Sequence, residues 1–275
     1  MSEVDTATSR GRTWFQALSG RNGIVKGGAS SVLRCDAPLG NDVARFLAVV
    51  PNPHSRFPRV RNGEVGLEEG WTLAKYVREA VEPDGHGVRR PIVAIVDVTS
   101  QAYGLTEELM GIHLACAAAV DAYATARLAG HPVVALLAGQ AMSGAFLAHG
   151  YQANRILALD DPHVAVHAMG KAAAARVTKR SVSDLDALGE FVLPMSYDIH
   201  TFAKLGILDA LIEVVNADAP TPADIAKVLN EVSAAVADAR SGSRDLTRRL
   251  GAPARSASAE VRRRMSEQWS GVAPH

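Results

Sequence analysis

Cysteine is nearly missing from this sequence. Its 275 residues hold two, Cys35 and Cys116, far apart and without metal-ligand spacing. No disulfide framework is expected, and both thiols read as reduced and buried. Neither sign of charge dominates, because Lys+Arg and Asp+Glu both total 29. That balance argues against nucleic acid or an anionic membrane as a partner. No uninterrupted apolar run reaches the roughly 18 residues that cross a bilayer. The opening MSEVDTATSRGRTWFQAL lacks the apolar core of a secretory signal. Tandem repeats and low-complexity tracts are also missing. A soluble, cytoplasmic protein is the expectation.

What is present is a 48% hydrophobic content with 21% charged residues. Single cores stop growing near about 250–300 residues, so this length suits one large α/β domain. Residues 1–20 are polar and expected to form a flexible segment, although Trp14, Phe15 and Leu18 could dock as a short helix. The main domain is expected over 21–240, and an Arg-rich tail or helix over 241–275. Ser31–Asp36 and Val43–Val50 read as strands bounded by Gly, Pro or Asn, followed by a helix from Leu67 to Glu82. Ile92–Val96 and Pro132–Ala138 are continuous apolar runs, as in strands buried on both faces. Each leads into a helix: Thr106–Leu128, Ala-rich and interrupted only by Gly111, and Ser143–Tyr151. Further strands are expected at Ile156–Leu159, Val164–His167 and Ile207–Val215. Later helices are expected at Ser183–Glu190, Asp198–Leu205 and Pro222–Ala239. The alternation predicts parallel strands with helices packed over them.

Two strand-to-helix turns carry the chemistry. GQAMSGAF (139–146) puts small residues where a buried strand opens a helix, so backbone N–H groups can approach a ligand closely. A helix start adds unsatisfied donors and a field that favours negative charge, the ingredients of a backbone oxyanion hole. The bland alternative is that the glycines only tighten a turn. DVTSQAYG (97–104) repeats the arrangement after the preceding strand. Both turns should lie at the carboxyl ends of neighbouring parallel strands, where open α/β sheets bind ligands. Ser143, Gly144 and Ala145 are candidates for one hole. Ser100 and Gln101 line the other, Tyr103 lines the pocket or packs against the helix start, and Gly139 and Met142 are candidate substrate contacts.

These segments carry a resemblance. The pair DVTSQAYG and GQAMSGAFLAHG is similar to the paired turns of acyl-CoA carboxyltransferases. The continuation YQANRILALDDPHVAVHAMGKAAAARVTKRSV (151–182) looks like the gamma subunit of malonate decarboxylases, and the likeness covers residues 20–215. It implies an α/β crotonase-like fold of ββα units stacked as a superhelix, with a helical C-terminal region. A beta subunit of the same fold is implied as partner, with the active site at their interface. The implied substrate is a malonyl thioester on a phosphopantetheine-type, dephospho-CoA-derived arm of an acyl-carrier protein, decarboxylated to acetyl. No cofactor is implied in this chain itself. Loss of carbon dioxide leaves a carbanion whose charge spreads onto the thioester oxygen, which calls for N–H donors rather than a metal. A related outcome is carboxyl transfer to biotin. This chain has no lysine flanked by methionines, so any biotin would sit on another subunit.

Two rival readings stay open. One is a serine hydrolase similar to the caseinolytic protease, with Ser143 and His167 as its pair. Aligning Gly144-Ala145-Phe146 with the small-small-Phe of those proteases puts Met142 at the nucleophile position, and a thioether cannot be acylated. A slip of one residue in the turn would restore the pairing. The other is a non-catalytic scaffold subunit. His167 reads either as a satisfied core histidine or as a proton source for the acetyl carbanion. His163 and His167 are too far apart along a strand to share a metal. Lys171, Arg176, Lys179 and Arg180 read as a solvated face, or in the minority reading as an anion contact. The arginines after Ser241 read the same way, with docking of an acidic partner as the sharper alternative.

Overall fold

The computed structural model describes residues 9–21, 23, 27–82, 87 and 89–270. Strands β1 (Val32–Leu39) and β2 (Asp42–Val49) form an antiparallel hairpin. The chain then builds parallel strands outward from β2: β3 (Ile92–Val98), β4 (Val133–Met142), β5 (Arg155–Leu159) and β7 (Ala210–Ile212). The interiors of β3 and β4 are fully buried, as their unbroken apolar runs predict. A short strand β6 (Ala165–His167) pairs with the end of β4 instead of continuing the sheet.

Helices α2 (Leu67–Val81) and α4 (Ile112–Leu128) pack on each other through small residues and bury Leu73, Tyr76 and Tyr123. The single helix expected over Thr106–Leu128 is two: α3 (Leu105–Leu109) ends before Gly111, whose φ of 82° starts α4 afresh. That left-handed backbone suits glycine and breaks the hydrogen-bond ladder. Helix α5 (Ser143–Ala148) follows β4 directly. Helices α6 (Lys171–Thr178), α7 (Val182–Phe191) and α8 (Ile199–Ala203) form a more exposed lobe before β7, and α9 (Pro222–Ser241) returns over the sheet. Helix α10 (Ser256–Ser270) closes the described chain.

The looseness expected of residues 1–20 does not hold for Arg10–Ser19. This segment is helix α1, capped by Ser9, with Trp14 and Phe15 fully buried. The Trp14 indole N–H donates to the Ala217 carbonyl at 2.9 Å, so the helix is tied to the segment just before α9. Arg12 and Ser19 are buried with Trp14 and Phe15, so polar composition alone reads as looser than the packing is.

An irregularity in the sheet positions the site. Between Val96 and Val98 the β3–β4 register slips, so that Val96 faces Leu137 but Val98 faces Ala141. The Gln140 N–H donates to Asp97 Oδ1 at 3.1 Å, and Asp97 Oδ2 accepts the Gly11 N–H at 3.0 Å. One carboxylate thus pins the bulge and the start of α1 together. Beyond it, β4 leaves β5 and pairs with β6, which sets Met142 opposite His167.

Candidate active site

Both predicted turns lie at the carboxyl ends of β3 and β4, side by side. They touch through two hydrogen bonds. Gly144 N–H donates to Gln101 Oε1 at 2.8 Å, and the hydroxyls of Tyr103 and Ser143 are 2.8 Å apart. Ser143 sits at φ 59°, a left-handed conformation that non-glycine residues seldom adopt. The strain is held by β4 on one side and α5 on the other, and it turns the chain sharply enough to aim the Gly144 N–H at the facing turn. The first turn is held from behind: Val65 N–H donates to Ser100 O and Ala102 N–H to Val65 O. Ser100 Oγ donates to the Gln101 carbonyl, which stiffens the turn without reaching the cleft lining.

A cleft of about 500 Å³ opens beside Ser143 and Gly144. Its walls are mostly apolar, with Phe146, Val166, Met195 and Phe202 among them, and His167 and Arg255 also reach it. His167 stacks on Tyr197 with ring centroids 4.0 Å apart. Its Nδ1 lies 3.0 Å from the Met169 carbonyl, while the buried Nε2 makes no hydrogen bond. Burial lowers the His167 pKa below the ordinary histidine value, and the backbones of Met169 and Pro194 only partly oppose it. The ring is therefore mainly neutral at neutral pH.

Of the other expected contacts, Gln101 and Tyr103 reach the cleft only through Gly144 and Ser143 and are not in its lining, and three more lie elsewhere. Gly139 is buried within β4, where a Cβ would run into the Asp97 carboxylate, so its smallness serves the bulge rather than a ligand. Met142 is 3% exposed, so its side chain belongs to the core; the Ala145 methyl is buried too, while the donor expected of Ala145 is its backbone N–H. Lys171 pairs with Asp186 at 2.6 Å behind Tyr197 and does not line the cleft. Ser143 and His167 share no hydrogen bond, since Ser143 Oγ meets Tyr103 and His167 Nδ1 meets Met169. The nucleophile–base contact of a serine hydrolase is not formed. Sequence reasoning did not assign Asp97, Tyr197 or Arg255 to the site. A lone charge ending an apolar strand was the available signal for Asp97, whereas nothing local marks the other two.

Across residues 60–269 the chain matches the family model of the malonate decarboxylase gamma subunit. It belongs to that family. Among solved structures, this gamma-subunit family member is 57% identical to a chain of a Pseudomonas malonate decarboxylase hetero-tetramer in complex with coenzyme A. That match has a TM-score of 0.92 and covers 95% of this chain and 100% of that one. A Pseudomonas malonate decarboxylase hetero-dimer matches at 55% identity and a TM-score of 0.89, over 95% and 99% of the two chains. A malonyl-S-ACP:biotin-protein carboxyltransferase of Malonomonas rubra is 37% identical over 167 residues, 59% of this chain. The chain spans 57% of the length of that relative. The 12S transcarboxylase, 17% identical with a TM-score of 0.59, covers 86% of this chain and 46% of its own, and shares the fold alone. The gamma-subunit family member thus has the crotonase-like carboxyltransferase fold that the paired turns suggest.

Proposed function

We propose that this chain, paired with a beta subunit of the same fold, decarboxylates a malonyl thioester on an acyl-carrier protein to the acetyl thioester. The observation that carries the reading is the Gly144–Gln101 bond. By holding the amide oxygen, the Gly144 N–H leaves the two hydrogens of Gln101 Nε2 as donors beside the apolar cleft. A thioester oxygen placed there gains hydrogen bonds as charge moves onto it. Around it, apolar walls disfavour a localised carboxylate and suit the methyl and methylene groups of a pantetheine-type arm. As the C–C bond breaks, its electron pair passes into the enolate and carbon dioxide leaves. A proton then adds to the carbanion. His167 is the candidate source in its protonated form, and the Tyr103–Ser143 hydroxyl pair is the nearest alternative.

The arm itself belongs to the carrier protein, and this chain contributes walls and donors for it. Leu105, Leu109, Met110 and Leu114 are exposed and follow directly after Tyr103, an apolar surface of the kind a partner subunit covers. Cys35 and Cys116 are free and half-buried rather than buried as expected, and two free thiols suit the reducing cytoplasm. No described helix is long and apolar enough to cross a membrane.

The name of the Malonomonas relative favours a second reading, in which the carboxyl group passes to biotin on another protein. One assay separates the two. Carbon dioxide release from malonyl carrier protein is followed with this chain alone, with its beta partner, and with avidin added. Avidin-insensitive release by the pair alone is expected. Release blocked by avidin would assign carboxyl transfer, and no release from the pair would end the decarboxylase reading. Fluorophosphonate labelling of Ser143 would revive the hydrolase.

A further inference from the structure

The C-terminal arginines divide by environment. Arg263 and Arg264 pair with Glu260 and Glu267 along α10, a solvated face. Arg249 is buried and donates to the carbonyls of Tyr151 and Ala153, where burial lowers its pKa to about 10. Arg255 is half-buried and stands apart from both groups. It ends a 3-10 turn, Pro253–Arg255, packed where Ala252 meets Gly206. Its Nε donates to the Leu205 carbonyl at 2.9 Å, which fixes the guanidinium at the wall of the cleft. Among the described residues, Nη1 and Nη2 have no carboxylate partner.

Arg255 is also the one Asp, Glu, Lys or Arg side chain among the described residues lining the cleft. A half-buried cation set in apolar walls is best stabilised by an anion that completes its hydrogen bonds. If the substrate is a malonyl thioester on a phosphate-bearing arm, as proposed above, it brings two kinds of anion. A guanidinium on the reacting carboxylate would stabilise the ground state, where the charge sits, over the transition state, where it has moved to the thioester oxygen. A phosphate keeps its charge throughout and accepts parallel N–H bonds from the guanidinium fork. We infer that Arg255 anchors the phosphate of the thioester-bearing arm and so positions the malonyl group at the Gln101 amide donors.

The test uses the complex of this chain with its beta subunit, carrying wild-type, Arg255→Gln or Arg255→Lys sequence. Calorimetry with dephospho-CoA reads the anchor without catalysis. Arg255→Gln should weaken binding about 10- to 100-fold, the range for hydrogen bonds to charged groups. The KM for malonyl carrier protein should rise by a similar factor with kcat little changed. Turnover of malonyl-N-acetylcysteamine, which has no phosphate, should be unaffected. Arg255→Lys keeps the charge but not the fork and should fall in between; it carries the test alone if Arg255→Gln does not fold. Unchanged dephospho-CoA binding would overturn the inference. So would an equal loss on the phosphate-free thioester, which would assign Arg255 to the carboxylate or to packing. If wild type binds dephospho-CoA, Arg255→Gln loses it and neither releases carbon dioxide, the anchor stands and the decarboxylase reading falls.

Discussion

At Gly144, a single absent side chain couples the two turns. A Cβ there would come within 3.0 Å of Gln101 Oε1 and 3.1 Å of its Cδ. The branched side chain of Gly144→Val would push the amide away, and carbon dioxide release is expected to fall by about 100-fold or more. The melting temperature should change far less, because the turn is half-exposed. Gln101→Glu keeps an oxygen for the Gly144 N–H but sets a carboxylate against the developing negative charge. A comparable fall is expected. Gln101→Leu removes the amide yet frees the Gly144 N–H to act as donor, so it should lose less; steady-state kinetics on the three variants gives the ordering. His167 makes a pH-dependent case. If its protonated ring supplies the proton, activity is present below its lowered pKa and lost as pH rises through it, before the ordinary value of 6.5. His167→Gln should remove that limb of the pH–rate profile and leave any hydroxyl-dependent remainder flat. Of this constellation, Ser143, Gly144 and Gln101 were legible because small residues and a polar amide at strand ends are a local pattern. The bond between Gly144 and Gln101 was not, since its partners are 43 positions apart.

At the scale of elements, α1 and the β3–β4 bulge act as one unit. Trp14 is fully buried and hydrogen-bonded to Ala217. Trp14→Ala is expected to cost about 3–5 kcal/mol, measured by urea unfolding. Asp97→Ala strands the N–H groups of Gly11 and Gln140, at about 1–3 kcal/mol for each donor left unsatisfied. It should also lower turnover, because the bulge sets where β4 hands over to β6. A variant that lost stability but kept full turnover would show that the bulge does not position the site. The strands were readable from apolar runs and turn residues, and so was the start of α2. The break at Gly111 and the bulge at Asp97 were not, nor was the Ala217 partner of the α1 helix that Trp14, Phe15 and Leu18 suggested, because each depends on what a neighbouring element offers.

For the whole molecule, acid stability has an identifiable source. His149 is fully buried, bonded through Nδ1 to Tyr123 and through Nε2 to the Ile95 carbonyl, and burial lowers its pKa to about 4. The unfolded chain takes up a proton near 6.5, which the folded one refuses until about 4. Stability is therefore lost as pH falls through that window, by about 3 kcal/mol in all. Denaturant melts across the window should show this slope, and His149→Gln should flatten it whatever its effect on absolute stability.

From the sequence alone came an α/β chain with parallel buried strands and two donor-bearing turns at neighbouring strand ends. Periodicity, turn chemistry and residue type are local properties, and these conclusions needed nothing more. Tertiary structure decided what the turns do to each other: Gln101 meets Gly144, Tyr103 meets Ser143, and the tempting Ser143–His167 contact is not made. It also sorted residues that look alike in the chain. Gly139 and Lys171 left the cleft and Arg255 entered it, because burial, ion pairing and cleft lining arise only when distant segments pack together.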